Sequence, residues 1–470
     1  MSSHNHKRSS FSGKLGFVLS AAGASVGLGN IWRFPYLAAK DGGGIFLVIY
    51  IVLALTFGFA LLTTEIAIGR KTGQSPLTAY GHLSEKWKPL GVIASIVPVI
   101  IMPYYCVIGG WVLKYFVTYL TMQGKNATEA DYFTGFIGGN IAPVVFMIIF
   151  MAATFFIVYN GVDKGIEKCS RILMPILFVI ILIVVAFSLT LSATDENGVT
   201  RTGLQGLKAY VIPDFANLTL KSFVSTVIDA MGQLFYSLSV AMGIMITYGS
   251  YVKKETDLNK SINQIEIFDT IVAFFAGMMI IPAVFTFMGR EGMSASGPSL
   301  MFISLPKVFD SMGSMGSIMG MIFFLLVLFA ALTSAVSIME AIVSSLMDQF
   351  KISRKKSCIA VITFSVIVGI IVCLGYNMLY MEVKLPNGTT GQILDILDYV
   401  SNQILMPIVA IATCILVGWV IKPKTIIDEV ECPDGVHHGK MGRKGLYVVM
   451  VKYIAPVLLL ILFLTAVGIL

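Results

Sequence analysis

The stretch Ala21–Tyr36 reads AAGASVGLGNIWRFPY and sits inside the first long apolar run of the chain. Three glycines fall within seven residues (Gly23, Gly27, Gly29) and weaken a helix there. Asn30 and Arg33 follow at once, and a polar or charged side chain inside a membrane span marks function by default. A second interrupted run reads Ser237-Leu238-Ser239-Val240-Ala241-Met242-Gly243. Where a helix breaks in hydrocarbon, backbone carbonyls and amides lose their intrahelical partners, at several kcal/mol each unless something binds them. Half-helix N-termini attract a carboxylate, and freed carbonyls attract a cation. Glycines alone also suit close helix contact, and Gly23 and Gly27 have that spacing. Asn30 and Arg33 tip the balance toward a site that takes a cation and a carboxylate.

The elements that must position these residues are membrane helices. The chain has 470 residues, 56% hydrophobic and 13% charged, too little charge for the surface of a soluble domain. Apolar runs near 15–39, 43–69, 89–121, 142–160, 167–192, 222–251, 262–289, 315–349, 357–378, 393–421 and 446–469 read as eleven spans. They divide into a segment 1–14, a first set of five spans (15–192), a loop (193–221), a second set of five (222–421), a loop (422–445) and an eleventh span (446–470). Interrupted spans in matching places of two sets point to an inverted-repeat transporter with its site at the breaks. Lys and Arg concentrate in the loops that share a side with the N-terminus. The N-terminus is therefore expected in the cytoplasm and, with an odd span count, the C-terminus outside. The net charge of +7 reads as this loop bias and needs no nucleic acid. Six scattered cysteines form no CxxC pair, and no span carries a histidine–cysteine metal cluster, so an enzyme is not expected.

GASVGLGNIWRFPY, followed by Gly42-Gly43-Gly44 and Tyr50, closely resembles the signature of the sodium:neurotransmitter symporter family. The likeness continues through Tyr104-Tyr105 with Trp111, GQLFYSLSVAMG in span 6 and ALTSAVSIME in span 8. Eleven spans in place of twelve is similar to some bacterial members. The resemblance implies an all-α, LeuT-type fold: a 5+5 inverted repeat with spans 1 and 6 broken, plus an eleventh span.

It also implies site residues. A first sodium site would use Ser25, Asn30, Ser237 and Asp269, all oxygen donors as a hard cation requires. Asp269 stands where the family's bacterial prototype has Asn, and Ala273 where that prototype carries a glutamate in place of a bound anion. One fixed charge at Asp269 would then serve for both, and no chloride is expected. A second sodium site would use the Gly23, Val26 and Ala330 carbonyls with Thr333 and Ser334, the last three residues on one helix face. A Thr-Ser pair also commonly bonds back to its own helix. The substrate would lie among Ala24, Ser25, Gly27, Ile101, Tyr105, Tyr236, Ser237, Ser239, Ala241, Met242, Ser334, Ala335 and Ile338. Monoamine-taking relatives carry an aspartate at the place of Gly27, so its absence implies an amino acid with its own carboxylate. Met242 gives the apolar wall some adaptability. Arg33 with Asp398 would gate the outer side; Arg8 with Asp348, supported by Tyr251, the inner side, where Phe11 replaces the family's usual Trp. Gly165 and Pro175 would let span 5 unwind. The expectation is sodium-coupled symport of hydrophobic L-amino acids across a plasma (inner) membrane. The competing reading is a membrane sensor that binds an amino acid without transport. The oligomeric state stays open, a homodimer included.

Overall fold

The computed structural model describes residues 9–195, 198–213, 215, 218–292 and 297–470. Among them, nine continuous helices are long and apolar enough to cross a membrane: Gly44–Thr72, Glu85–Leu120, Ala142–Tyr159, Val162–Thr190, Leu258–Gly289, Gly313–Phe350, Arg354–Leu374, Ile393–Val420 and Lys444–Ala466. These are spans 2–5 and 7–11. Span 1 is a bent pair, Lys14–Ser25 and Gly29–Lys40, with 53° between its halves. Span 6 is also two helices, Leu220–Ser237 and Ile244–Gly249. Its first half carries Lys221, Asp229 and Gln233, so composition alone marks it less clearly. The only strands among the described residues form two-stranded ribbons, Ser192–Thr194 with Thr200–Thr202 and Val383–Lys384 with Thr390–Gly391.

Both breaks fall where glycine and small polar residues lie. In span 1 the helix stops at Ser25, Val26 turns to extended φ/ψ, and a π-helical turn Gly29–Arg33 restarts the chain. In span 6, Ser239, Ala241 and Gly243 all take positive φ (52°, 62° and 74°), which no α-helix accommodates. Ser239 and Ala241 have side chains and are therefore strained, a conformation that surrounding contacts must hold.

The broken pair lies in the middle of the bundle. Its halves touch spans 2, 7 and 8, and span 3 runs along span 8. Spans 2 and 6 cross backbone to backbone: a Cβ on Gly69 would lie 1.9 Å from the Ile246 carbonyl oxygen, and one on Gly249 2.2 Å from that of Ile66. These glycines act as small-residue contacts that fix the second half of span 6. Large apolar side chains of spans 4, 5, 9 and 11 stay exposed, as a lipid-facing surface requires.

Candidate functional site

A cavity lies between the two breaks, with about 400 Å³ not filled by protein atoms. It is lined by Ala24, Ser25, Gly27, Leu28, Gly29 and Asn30 from span 1, Ile101 and Tyr105 from span 3, Tyr236, Ser237, Ser239 and Met242 from span 6, and Ser334 and Ile338 from span 8. Two of the expected residues stand off it. Ala335 is fully buried elsewhere, because one residue beyond Ser334 the helix has turned by about 100°. Ala241 is turned by its positive φ, and its amide donates to Glu65 Oε1 at 2.6 Å. Gly27 leaves room at the centre: a Cβ there would come within 2.8 Å of Ser334 Oγ and 3.4 Å of the Tyr105 hydroxyl. That hydroxyl is buried without a hydrogen-bond partner, so the cavity holds an unspent donor ready for an oxyanion.

At one end of the cavity, polar groups from four spans meet. Asp269 is fully buried on span 7. Its carboxylate accepts from the Asn30 amide at 3.0 Å and from the Ser237 hydroxyl at 2.9 and 3.1 Å. Tyr50 of span 2 adds its hydroxyl at 3.4 Å, and Ser237 also lies 3.0 Å from Asn30 Oδ1. Asn30, Ser237 and Asp269 thus converge from three spans. The Ser25 hydroxyl turns back to Ala21 O at 3.2 Å. A buried carboxylate surrounded by amide and hydroxyl oxygens suits a small hard cation, and a group so buried calls for a counter-charge.

The second cluster joins span 8 to the first break. Ser334 Oγ lies 3.5, 3.3 and 3.4 Å from the carbonyl oxygens of Gly23, Ala24 and Val26. Thr333 turns its hydroxyl back to Phe329 O and Ala330 O, at 3.1 Å each. Gly23 packs tightly here, its would-be Cβ 3.2 Å from Met174 and 3.3 Å from Thr333. Carbonyl and hydroxyl oxygens therefore converge on one place without a basic side chain among them.

The two residues expected to form the outer gate stand apart. Asp398 accepts from Tyr104 Oη at 3.1 Å and from Asn402 Nδ2 at 2.6 Å, and no Arg33–Asp398 ion pair closes within 4.0 Å. Tyr236 lies beneath, close against Gly29. On the side that carries the N-terminus, Arg8 falls outside the described residues. Asp348 accepts the Ser75 amide at 2.7 Å. Phe11 is buried against the rings of Phe17, Tyr248 and Tyr251, at 5.6–6.1 Å between centroids. Gly165 lies in a π-helical turn, Val162–Glu167, and Pro175 inside the helix that follows, so span 5 is wound here.

Several polar partners went unread in the sequence. Glu65 holds the second break through Ala241. Gln233 donates to Gly29 O at 3.0 Å and bridges the two breaks. Glu340 is buried and takes both prongs of Arg354 at 2.7 Å and the Tyr251 hydroxyl at 2.6 Å. Glu65 and Glu340 are acids in apolar runs, which is signal enough to raise suspicion but not to name a partner, and Gln233 is one of several polar residues in its half-span.

Comparison with known proteins agrees with this architecture. The model of the sodium:neurotransmitter symporter family matches residues 8–130 and 137–469. An uncharacterized sodium-dependent transporter of Bacillus subtilis, YhdH, is 33% identical over 462 residues, 97% of each chain. One of Haemophilus influenzae is 30% identical over 480 residues, 99% of each. The crystal structure of MhsT in complex with L-phenylalanine is similar with a TM-score of 0.83 and 34% identity, covering 98% of this chain and all of that one. The fold is thus the all-α, LeuT-type arrangement of a multi-pass membrane protein. With a family match over nearly its whole length and both interrupted spans in place, the chain belongs to the sodium:neurotransmitter symporter family.

Proposed function

We propose that the protein is a sodium-coupled symporter of hydrophobic L-amino acids, aliphatic or aromatic, that works by alternating access and needs no chloride. The observation that carries this reading is the buried Asp269 carboxylate, bonded by Asn30 and Ser237, at the end of a cavity walled by Ile101, Tyr236, Met242 and Ile338. The carboxylate supplies the negative charge for a sodium ion at Asn30, Ser237 and Asp269, with Ser25 adjoining. The unpartnered Tyr105 hydroxyl and the amides at the breaks would receive the substrate carboxylate. The apolar wall would receive its side chain. A second sodium ion would take the Gly23, Val26 and Ala330 carbonyls with Thr333 and Ser334, joining span 1 to span 8. The sodium-dependent relatives support the coupling, and the phenylalanine in MhsT supports the substrate class.

In this reading sodium and substrate fill the midplane together, and Arg33 then closes on Asp398. Loss of sodium on the other side frees the substrate, with Gly165 and Pro175 letting span 5 open. The chain would lie in the plasma (inner) membrane, with its N-terminus in the cytoplasm and C-terminus outside. Two sodium ions with a neutral zwitterion crossing 100 mV gain about 4.6 kcal/mol, or about three decades of accumulation. The test is the melting temperature of the purified protein with each of the twenty amino acids, in sodium and in potassium. A rise confined to apolar amino acids and requiring sodium is expected. A rise that ignores sodium, or occurs only with polar amino acids, contradicts the reading.

A further inference from the structure

Arg443 directly precedes span 11. A basic residue at that place normally extends its head group into the water beyond the membrane. Arg443 instead turns into the bundle. Its guanidinium donates to both oxygens of Glu266 on span 7, at 3.1 and 2.7 Å, and to Asn263 Oδ1 at 2.6 Å. A fourth hydrogen bond, at 2.8 Å, goes to the Leu55 carbonyl on span 2, and the group lies 3.6 Å above the Phe59 ring. Glu266 is 2% exposed on its side chain. Leu55 belongs to a π-helical turn, Ala54–Gly58, in which the Phe59 amide reaches back to Ala54 O. Such turns recur at functional sites.

We propose that Arg443 is a positioning residue for the cation site at Asp269. Glu266 lies three residues before Asp269, about 4.5 Å along the helix and about 60° around it. Asp269 meets Tyr50 of span 2, and Arg443 ties the same two spans together nearer the start of span 7, through Glu266 and Leu55. The rotation and depth of span 7 that bring Asp269 to Asn30 and Ser237 are thereby pinned one turn away. Removing either partner would undo this tie and free the rotation of span 7, and removing the guanidinium alone would also leave Glu266 buried and unpaired. The ten-span repeat has no other cation on Glu266 among the described residues, which gives span 11 a task at a site it does not touch. The inference rests on the reading of Asp269 as a cation ligand.

The test uses the purified full chain and the variants E266Q, R443Q, R443K and E266Q/R443Q. The readout is the sodium concentration at half-maximal melting-temperature rise with a saturating apolar amino acid. A residue that acts through packed neighbours shifts such a constant by about two- to thirty-fold, and that increase is expected for E266Q and R443Q. R443K should recover part of it, since lysine keeps the charge but not the fork. The double variant should regain thermal stability over R443Q yet keep the sodium defect, because no lone buried charge remains. A sodium-dependent parent whose single variants melt lower but keep the parent's sodium constant overturns this inference alone. A parent that ignores sodium overturns it together with the reading of Asp269. If E266Q does not fold, R443Q and R443K decide together: the parent's sodium constant in both overturns the proposal.

Discussion

Substituting Asp269 by Asn removes one charge from a fully buried site while keeping its shape. Two unit charges about 4 Å apart at an effective dielectric of about 20 interact by about 4 kcal/mol, roughly three decades in a binding constant. Part of this is offset, because the sodium-free parent holds an uncompensated carboxylate whose desolvation the neutral amide relieves. The expected net effect is a rise of at least about tenfold in the half-saturating sodium concentration. The opposite sign is expected without sodium: in potassium the variant should melt no lower than the parent. The measurement is a titration of melting temperature with sodium gluconate at saturating amino acid, repeated with chloride. Chloride should leave the parent unmoved and restore part of the variant's sodium response, since an anion then supplies the missing charge near Asn30, Tyr50 and Ser237. An unchanged sodium constant in Asp269→Asn, or a chloride effect in the parent, would refute the electrostatic reasoning.

Three further outcomes follow from separate parts of the molecule. Ser334→Ala removes the hydroxyl that lies among the Gly23, Ala24 and Val26 carbonyls; the Hill coefficient for sodium should fall from about two toward about one, read from sodium-dependent uptake. Gly69→Ala pushes a methyl onto the Ile246 carbonyl; stability should drop by about 1–3 kcal/mol in sodium and potassium alike, with the sodium constant untouched. Asp41 lies beyond the end of span 1, where burial and then the neighbouring Asp229 carboxylate push its carboxyl up to about 7 from an ordinary 3.8. Between those values the native state keeps a proton that the unfolded chain has lost, so this group's stabilisation is full below about pH 4 and gone above about pH 7. Asp41→Asn should flatten that decline in a melting-temperature series against pH.

The breaks were legible because glycine and small polar residues interrupt otherwise apolar runs, and no helix in lipid tolerates that without a ligand or partner. Asn30, Ser237 and Asp269 were grouped by the family resemblance alone, since these spans carry many other oxygen donors, among them Ser20, Thr226, Asp229, Glu266 and Thr270. The wall of the cavity was less legible. Ala241 depends on a positive φ that no residue type announces, and Ala335 on which side of span 8 faces the break. Long-range polar contacts such as Gln233 to Gly29 and Glu65 to Ala241 join residues 204 and 176 positions apart, and periodicity carries no information across such a gap. Arg33 and Asp398 were expected to pair from the resemblance, and in this structure Asp398 is bonded instead to Tyr104 and Asn402. Arg443 was legible only as one of many loop cations; its inward turn depends on Glu266 and the π-turn of span 2 together.

Sodium-driven uptake into liposomes separates coupled transport from binding alone. The purified protein would be reconstituted into liposomes with sodium gluconate outside, potassium gluconate inside and an inside-negative potential set by valinomycin. Entry of labelled L-leucine and L-phenylalanine would then be followed. Accumulation above the outside concentration is expected, collapsing when external sodium is replaced by potassium and unchanged when gluconate is replaced by chloride. Binding of either amino acid without accumulation, under the same gradient, would contradict coupled transport and mark the protein as a sensor.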